Sequence, residues 1–429
     1  MYNKFVVFLV FIAFIAPLKG QENPAETQTK SSSPFDQSKF VPDISLIADF
    51  SYVSRDLNNG RFSSLGIPGL GTPLDLSGNQ GYGQGGSNVS RGFNLNYGEM
   101  SLYSVVDPYF DLFAVLHLTP DGAGLEEAYM TTRKLPYGFR MKAGKFLSGF
   151  GRLNDQHEHT WDFADRPLVS KAFFGEEGLN EIGAQITWVA PIDLYFMLGT
   201  EILNGENETS FGTTGFGDPG GTIVVQNING PGLFVNYARS AFDAGDATFL
   251  LGLSYAHGIT RADQGFSGTG GGSAMDGTSD IASGNITAKY ILDPIRSISF
   301  QGEYFYRLMD GTMYIRDSSN AVRMSTLNKH QAGMYSQIAA KLDLRWRFAV
   351  RYDLINLNDV FLGAVNKVFP KNLMRYSAMI EYNPTEFSRL RLQFNHDLSS
   401  SIPVLTPEPY SEVILQFNVA IGAHGAHPF

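Results

Sequence analysis

The 429-residue chain contains no cysteine. That excludes a disulfide framework and any thiolate metal site. Charged residues make up only 17 % of it, few for a soluble surface. Bases do not outnumber acids. The formal net charge of −10 argues against a general nucleic-acid binder. No internal repeat is evident, which disfavours a propeller or solenoid. Beyond residue 20 no stretch approaches the roughly 20 apolar residues of a membrane helix. Nucleotide fingerprints are missing too: the glycine runs at 81–86 and 268–272 have no strand-to-helix context and read as loop tips.

What is present is glycine (46), phenylalanine (33) and tyrosine (20) in abundance. The mixture suits many strands, glycine-rich loops and aromatic belts. At the N-terminus, Lys4 precedes an apolar run from Phe5 to Pro17, and Lys19 and Gly20 close it. Residues 1–20 read as a secretory signal peptide cleaved near Gly20. The alternative, a lone anchor, asks a short run to span a bilayer. Removing it takes away Lys4 and Lys19 and no acid, leaving 30 bases against 42 acids. With no cysteine at the cleavage point, a lipoprotein is disfavoured. Residues 21–42 are polar and read as a flexible lead.

From Asp43 the pattern changes to period two. In the final stretch, Val413, Leu415, Phe417, Val419 and Ile421 share one face, and Gln416, Asn418, Ala420, Gly422 and His424 the other. A chain that stops on such a strand with an aromatic, here Phe429, resembles the closing strand of an outer-membrane barrel. The resemblance implies recognition by the barrel assembly machinery. Earlier segments come in pairs split by short turns, such as Val-Asp-Pro at 106–108 and Asn-Pro-Thr at 383–385. With the first and last strands the count is about sixteen, even as such barrels require. The other connections, such as 147–179, 204–231, 258–279 and 310–328, are mostly long. Short turns on one side and long loops on the other predict an all-β, transmembrane antiparallel barrel over 43–429, with short periplasmic turns and long extracellular loops.

Face assignment is clearest late in the chain. Trp346, Phe348, Val350, Tyr352 and Leu354 oppose Arg345, Arg347, Arg351 and Asp353. About sixteen strands enclose a space too wide for side chains to fill. The charged face is therefore predicted to line a wet lumen, with the apolar face on outer-membrane lipid. The expected lining includes Glu303, Arg307, Lys341, Arg345, Arg347, Arg351, Asp353, Arg375, Glu381, Arg389 and Arg391, with Glu99, Asp111 and Glu127 across the channel. This basic wall either attracts anions or merely stiffens the barrel by pairing with neighbouring carboxylates.

Two clusters invite chemistry. The loop after Phe146 carries Trp161, Phe163, Phe173 and Phe174, so it can pack against something. It also carries Asp155, His157, Glu158 and His159, donors that suit zinc and similar ions. Two histidines are too few alone, and Asp162, Asp165, His424 and His427 are possible additions. A hydrogen-bonded loop without metal is the favoured alternative. A phospholipase-type site would need His117 or His330 beside a serine nucleophile, and no such motif surrounds either. No catalytic residue is expected.

Several segments, among them VDPYFDLFA, GRLNDQHEHTWDFADRPLVSKAFFGEEGLNEIG and IGAHGAHPF, resemble a family of Gram-negative outer-membrane proteins often labelled zinc-regulated outer-membrane receptor, or porin-like protein. The resemblance implies a link to zinc supply, carried by His157, His159, His424 and His427. About twenty residues between the signal and the first strand leave no room for a receptor plug. A more general likeness to the sixteen-stranded porins implies that loop 147–179 folds inward and narrows the bore, and makes a homotrimer plausible. The function expected is passive diffusion of small polar or ionic solutes, with zinc uptake at the loop histidines as alternative. An enzyme or structural barrel is the reading from another class.

Overall fold

The computed structural model describes residues 42–67, 69–76, 87–120, 122–207, 209–402 and 406–422. The expected signal peptide, the lead up to residue 41, His424, His427 and Phe429 lie outside them. The described residues form one compact unit. Its wall strands are β1 (Asp43–Arg55), β2 (Gly92–Val105), β3 (Phe110–Thr119), β4 (Gly122–Thr132), β5 (Phe139–Leu147), β6 (Asn180–Val189), β7 (Tyr195–Leu203), β8 (Leu233–Ala244), β9 (Ala247–Gln264), β10 (Gly272–Ile291), β11 (Ser297–Arg316), β12 (Val322–Lys341), β13 (Trp346–Leu362), β14 (Leu373–Thr385), β15 (Ser388–Asp397) and β16 (Tyr410–Gly422). Each pairs antiparallel with its sequence neighbours. β1 also pairs with β16, from Ser45 opposite Gly422 to Arg55 opposite Glu412, and this closes a sixteen-stranded barrel.

Alternation orients every strand. Outward positions such as Phe348, Val350, Leu392, Phe394, Leu415 and Phe417 are apolar and exposed, and the alternate positions Ala349, Arg351, Gln393 and Gln416 are buried inside. An apolar outer band on a closed barrel is what hydrocarbon requires, because closure leaves no unpaired backbone edge. The protein is an outer-membrane barrel of the Gram-negative type.

Two of the expected long loops are mostly strand, with short tips left at 265–271 and 317–321. β9 and β10 stay in register beyond Gly258–Ser279 to Gln264–Ser273. β11 and β12 continue from Asp310–Asn328 to Arg316–Val322. These strands run 18–20 residues, about twice what a bilayer needs. Backbone pairing sustains them where apolar alternation has faded.

The lumen also departs from expectation, since it is not uniformly polar. Lumen-facing Leu203, Leu233, Val235, Ala256, Ile281, Phe305, Ile355 and Leu373 are all buried, packed with Phe150, Leu168, Val169, Phe173 and Phe174 of the 148–179 loop. The last four belong to a short helix, α1 (Leu168–Phe174), whose residues are buried except Lys171. A second segment enters from the 56–91 tract. Its Ile67 and Leu70 join the same cluster, and Leu74 packs on Met275, Met309 and Leu327. Chain segments thus supply the filling that the wall alone, at this strand number, cannot.

Candidate functional site

The site is the interior at the level of the 148–179 loop. The loop lies against the arginine-bearing wall of β13–β15 and is held there by charge and by carbonyls. Asp165 accepts from Arg351 at 2.9 Å and pairs with Arg375 at 3.0 Å. Asp162 pairs with Arg347 and accepts from Gln337 at 2.8 Å. Arg391 donates to Trp161 O at 2.7 Å, Arg389 to His159 O at 2.8 Å, and Arg375 to Arg166 O at 2.8 Å. Burial alone would push the Asp165 carboxyl up. Arg351, Arg375 and the Gln393 amide outweigh it and hold the pKa at about 2. A carboxylate shared by two guanidinium groups is a strong, directional clasp.

The expected lining residues all face inward except Arg345, which lies exposed in the turn before β13. The wall is less wet than a charged face suggested. Arg391, Arg307 and Asp353 have no accessible surface, and Arg351 keeps 3 %. Glu381 is taken by Arg391 at 2.7 Å, and Asp353 by Arg351 at 2.9 Å. Glu303 accepts from Ser283 at 2.9 Å and from the Arg152 amide at 3.1 Å. Arg307 donates to Gln331 and Ser210, and Asp111 pairs with Arg133 at 3.3 Å. Lys341 sits opposite Arg347 near the short-turn end of the lumen.

On the facing wall the loop meets a second constellation. Glu99 of β2, His117 of β3 and Glu126 and Glu127 of β4 converge on His157 and His159. His157 Nε2 lies 3.0 Å from Glu127 Oε2, and its Nδ1 lies 3.5 Å from Glu126 Oε2 and 3.8 Å from Glu99 Oε2. His159 Nδ1 is 3.1 Å from Glu99 Oε2. His117 Nε2 is 3.0 Å from Glu126 and 3.7 Å from Glu99, and its ring stacks on Tyr97. Consecutive glutamates reach one cluster because Glu126 is the extra residue of a bulge: Val115 pairs with Glu127 and Leu116 with Leu125. A bulge re-aims a side chain in this way. Burial disfavours the charged His157 ring, but Glu126, Glu127 and Glu99 overcome it and raise its pKa well above the ordinary value. Burial also pushes the neighbouring Glu158 carboxyl up to about 7; it accepts from Ser87 at 3.0 Å.

Of the donors expected from sequence, His157 and His159 meet here. Asp155 does not; it pairs with Arg239 of β8 at 2.7 Å. The glutamates were missed as ligands because only folding brings them near: Glu99 and His159 are 60 residues apart. The one local signal was the Glu-Glu pair at 126–127 on a strand. His117 is part of this cluster, whereas His330 is exposed on the outer face beside Phe361. The two histidines weighed for catalysis therefore do not share a site.

No family model matches the chain. Among solved structures it is similar to the outer-membrane channel DcaP of Acinetobacter baumannii, with TM-score 0.49 and 8 % identity, over 90 % of this chain and 99 % of that one. It is also similar to an anion-selective porin from Comamonas acidovorans, with TM-score 0.45 and 10 % identity, over 89 % of this chain and all of that one. Nothing among these matches supports the zinc-regulated receptor label. In sequence it is 46 % identical over 397 residues to an uncharacterized protein of Aquifex aeolicus, covering 92 % of this chain and 82 % of the relative. The chain belongs to one family with that Aquifex aeolicus protein, and its own fold is a closed sixteen-stranded outer-membrane barrel.

Proposed function

We propose that the barrel is a diffusion channel for small polar or ionic solutes whose bore is set by the 148–179 loop. The observation that carries this reading is the loop itself, seated across the interior of a closed barrel. It is clasped to β13–β15 through Asp162 and Asp165, and packed on apolar lumen residues through α1. A constriction built from ordered side chains selects by size and by local field.

The charge left facing the short-turn half of the lumen favours anions. The wall acids Glu381 and Asp353 are already paired with arginine. Arg140 and Lys142 on β5 and Lys341 on β12 point inward by register. Side-chain charge at a narrowing raises the local concentration of the opposite ion.

The test is single-channel conductance of the refolded barrel in a planar bilayer under a salt gradient. Steady open steps with a reversal potential toward the anion side are expected. Removal of residues 152–176 should raise the step several-fold. Equal steps with and without the loop would remove it as the constriction, and a barrel silent in both forms would remove the channel reading.

A further inference from the structure

We propose that Glu99, Glu126 and His157 form a binding site for one divalent transition-metal ion, which joins the inserted loop to the β2–β4 wall. This goes beyond the channel reading and does not depend on it.

Four observations point the same way. The first is spacing. One ligand atom from each of Glu99, Glu126 and His157 lies within 4.8 Å of the others. His157 Nδ1 is 3.5 and 3.8 Å from the two carboxylate oxygens. A tetrahedral ion with metal–ligand bonds of about 2.1 Å sets its ligand atoms roughly 3.4 Å apart. His117 Nε2 also lies 3.0 and 3.7 Å from the same oxygens.

The second is outer-shell support. His157 Nε2 meets Glu127 Oε2 at 3.0 Å, and the other oxygen of Glu127 accepts from the Leu147 amide at 2.8 Å. A carboxylate holding the far nitrogen of an imidazole fixes the tautomer and turns the near lone pair toward a metal. The third is an orphaned atom. His157 Nδ1 is buried and makes no hydrogen bond, although it faces Glu126 Oε2 at 3.5 Å. A buried polar atom left this way calls for a partner. The fourth is charge. Glu99, Glu126 and Glu127 converge in a largely buried pocket against the imidazoles of His117, His157 and His159, and a divalent cation would carry the compensating charge while leaving those rings neutral. Mixed imidazole and carboxylate donors suit zinc, cobalt or nickel better than calcium or magnesium, which prefer oxygen alone.

The experiment uses the full chain in detergent micelles, stripped with chelator and titrated with zinc chloride by calorimetry at neutral pH. One ion per chain is expected. Binding should be lost in His157→Ala and Glu126→Gln, weakened about 10–100-fold in Glu127→Gln, and unchanged in Asp155→Asn. Cobalt should give the visible bands of a four-coordinate site. Far-UV circular dichroism shows which variants are folded, and Glu127→Gln keeps all the ligands should His157→Ala fail to fold. Absence of zinc and cobalt uptake by the wild type at millimolar metal would overturn the proposal. So would wild-type affinity in both Glu126→Gln and Glu127→Gln. The cluster would then be a set of imidazolium–carboxylate pairs. Conductance measured on the same preparation reports on the channel separately.

Discussion

At the scale of the residue, Asp165 decides where the loop sits. It meets two arginines from neighbouring strands and the amides of Gln393 and Asn395. Its pKa falls from 3.8 to about 2. A depressed carboxylate contributes stability that is complete above the unfolded value and is lost as pH falls through the folded one. Loop seating should therefore hold from neutral pH to about pH 4 and fail toward pH 2, read as rising conductance. In Asp165→Asn that acid transition should disappear. The substitution leaves Arg351 and Arg375 short of a partner, at a cost of roughly 3 kcal/mol on the scale of broken buried pairs. The aspartate was legible in sequence only as a possible ligand. Its two arginines stand 186 and 210 positions away, and register alone put them side by side.

At the scale of the element, the loop depends on a close backbone approach. Gly151 has φ +74°, and a Cβ there would stand 2.1 Å from Glu303 Oε1. Its amide accepts no such crowding, because it donates to Ser254 Oγ at 2.9 Å. Gly151→Ala should unseat the start of the loop while the barrel still forms. The expected result is larger, noisier conductance steps with unchanged far-UV circular dichroism; wild-type steps would show that the approach tolerates a methyl. Strand positions were largely legible, since apolar alternation marks at least part of every wall strand. The upper parts of β9–β12 were not, because Gly, Ser and Asp there carry turn signals while the backbone goes on pairing.

At the scale of the whole molecule, the outer band sets the environment. Leu392, outward on β15 and flanked by Ile380 and Leu415 on the neighbouring strands, lies within that band. Leu392→Arg should destabilise the barrel by about 2–4 kcal/mol if it sits at the bilayer midplane. Reversible denaturant unfolding in lipid would measure this, and a loss under about 1 kcal/mol would place it at the interface. The interior obeys different rules on its two walls. β13–β15 present arginine, and β2–β4 present glutamate and histidine. The loop carries aspartate toward the first and imidazole toward the second, so it is complementary to both.

The sequence by itself determined the barrel: strand number, in-and-out alternation, the sorting of turns from loops, and the lipid-facing residues. All of these follow from a period of two and the intolerance of hydrocarbon for polar backbone. It also marked, through aromatics that a solvated loop does not need, the loop that would pack against something. Only the tertiary structure decided what the interior does with its charge. Strand register and loop path join residues far apart in the chain, so that Arg351 binds Asp165 and His157 meets Glu99, Glu126 and Glu127. Local pattern carries no information about such pairs, because their energy exists only once the barrel has closed around the loop.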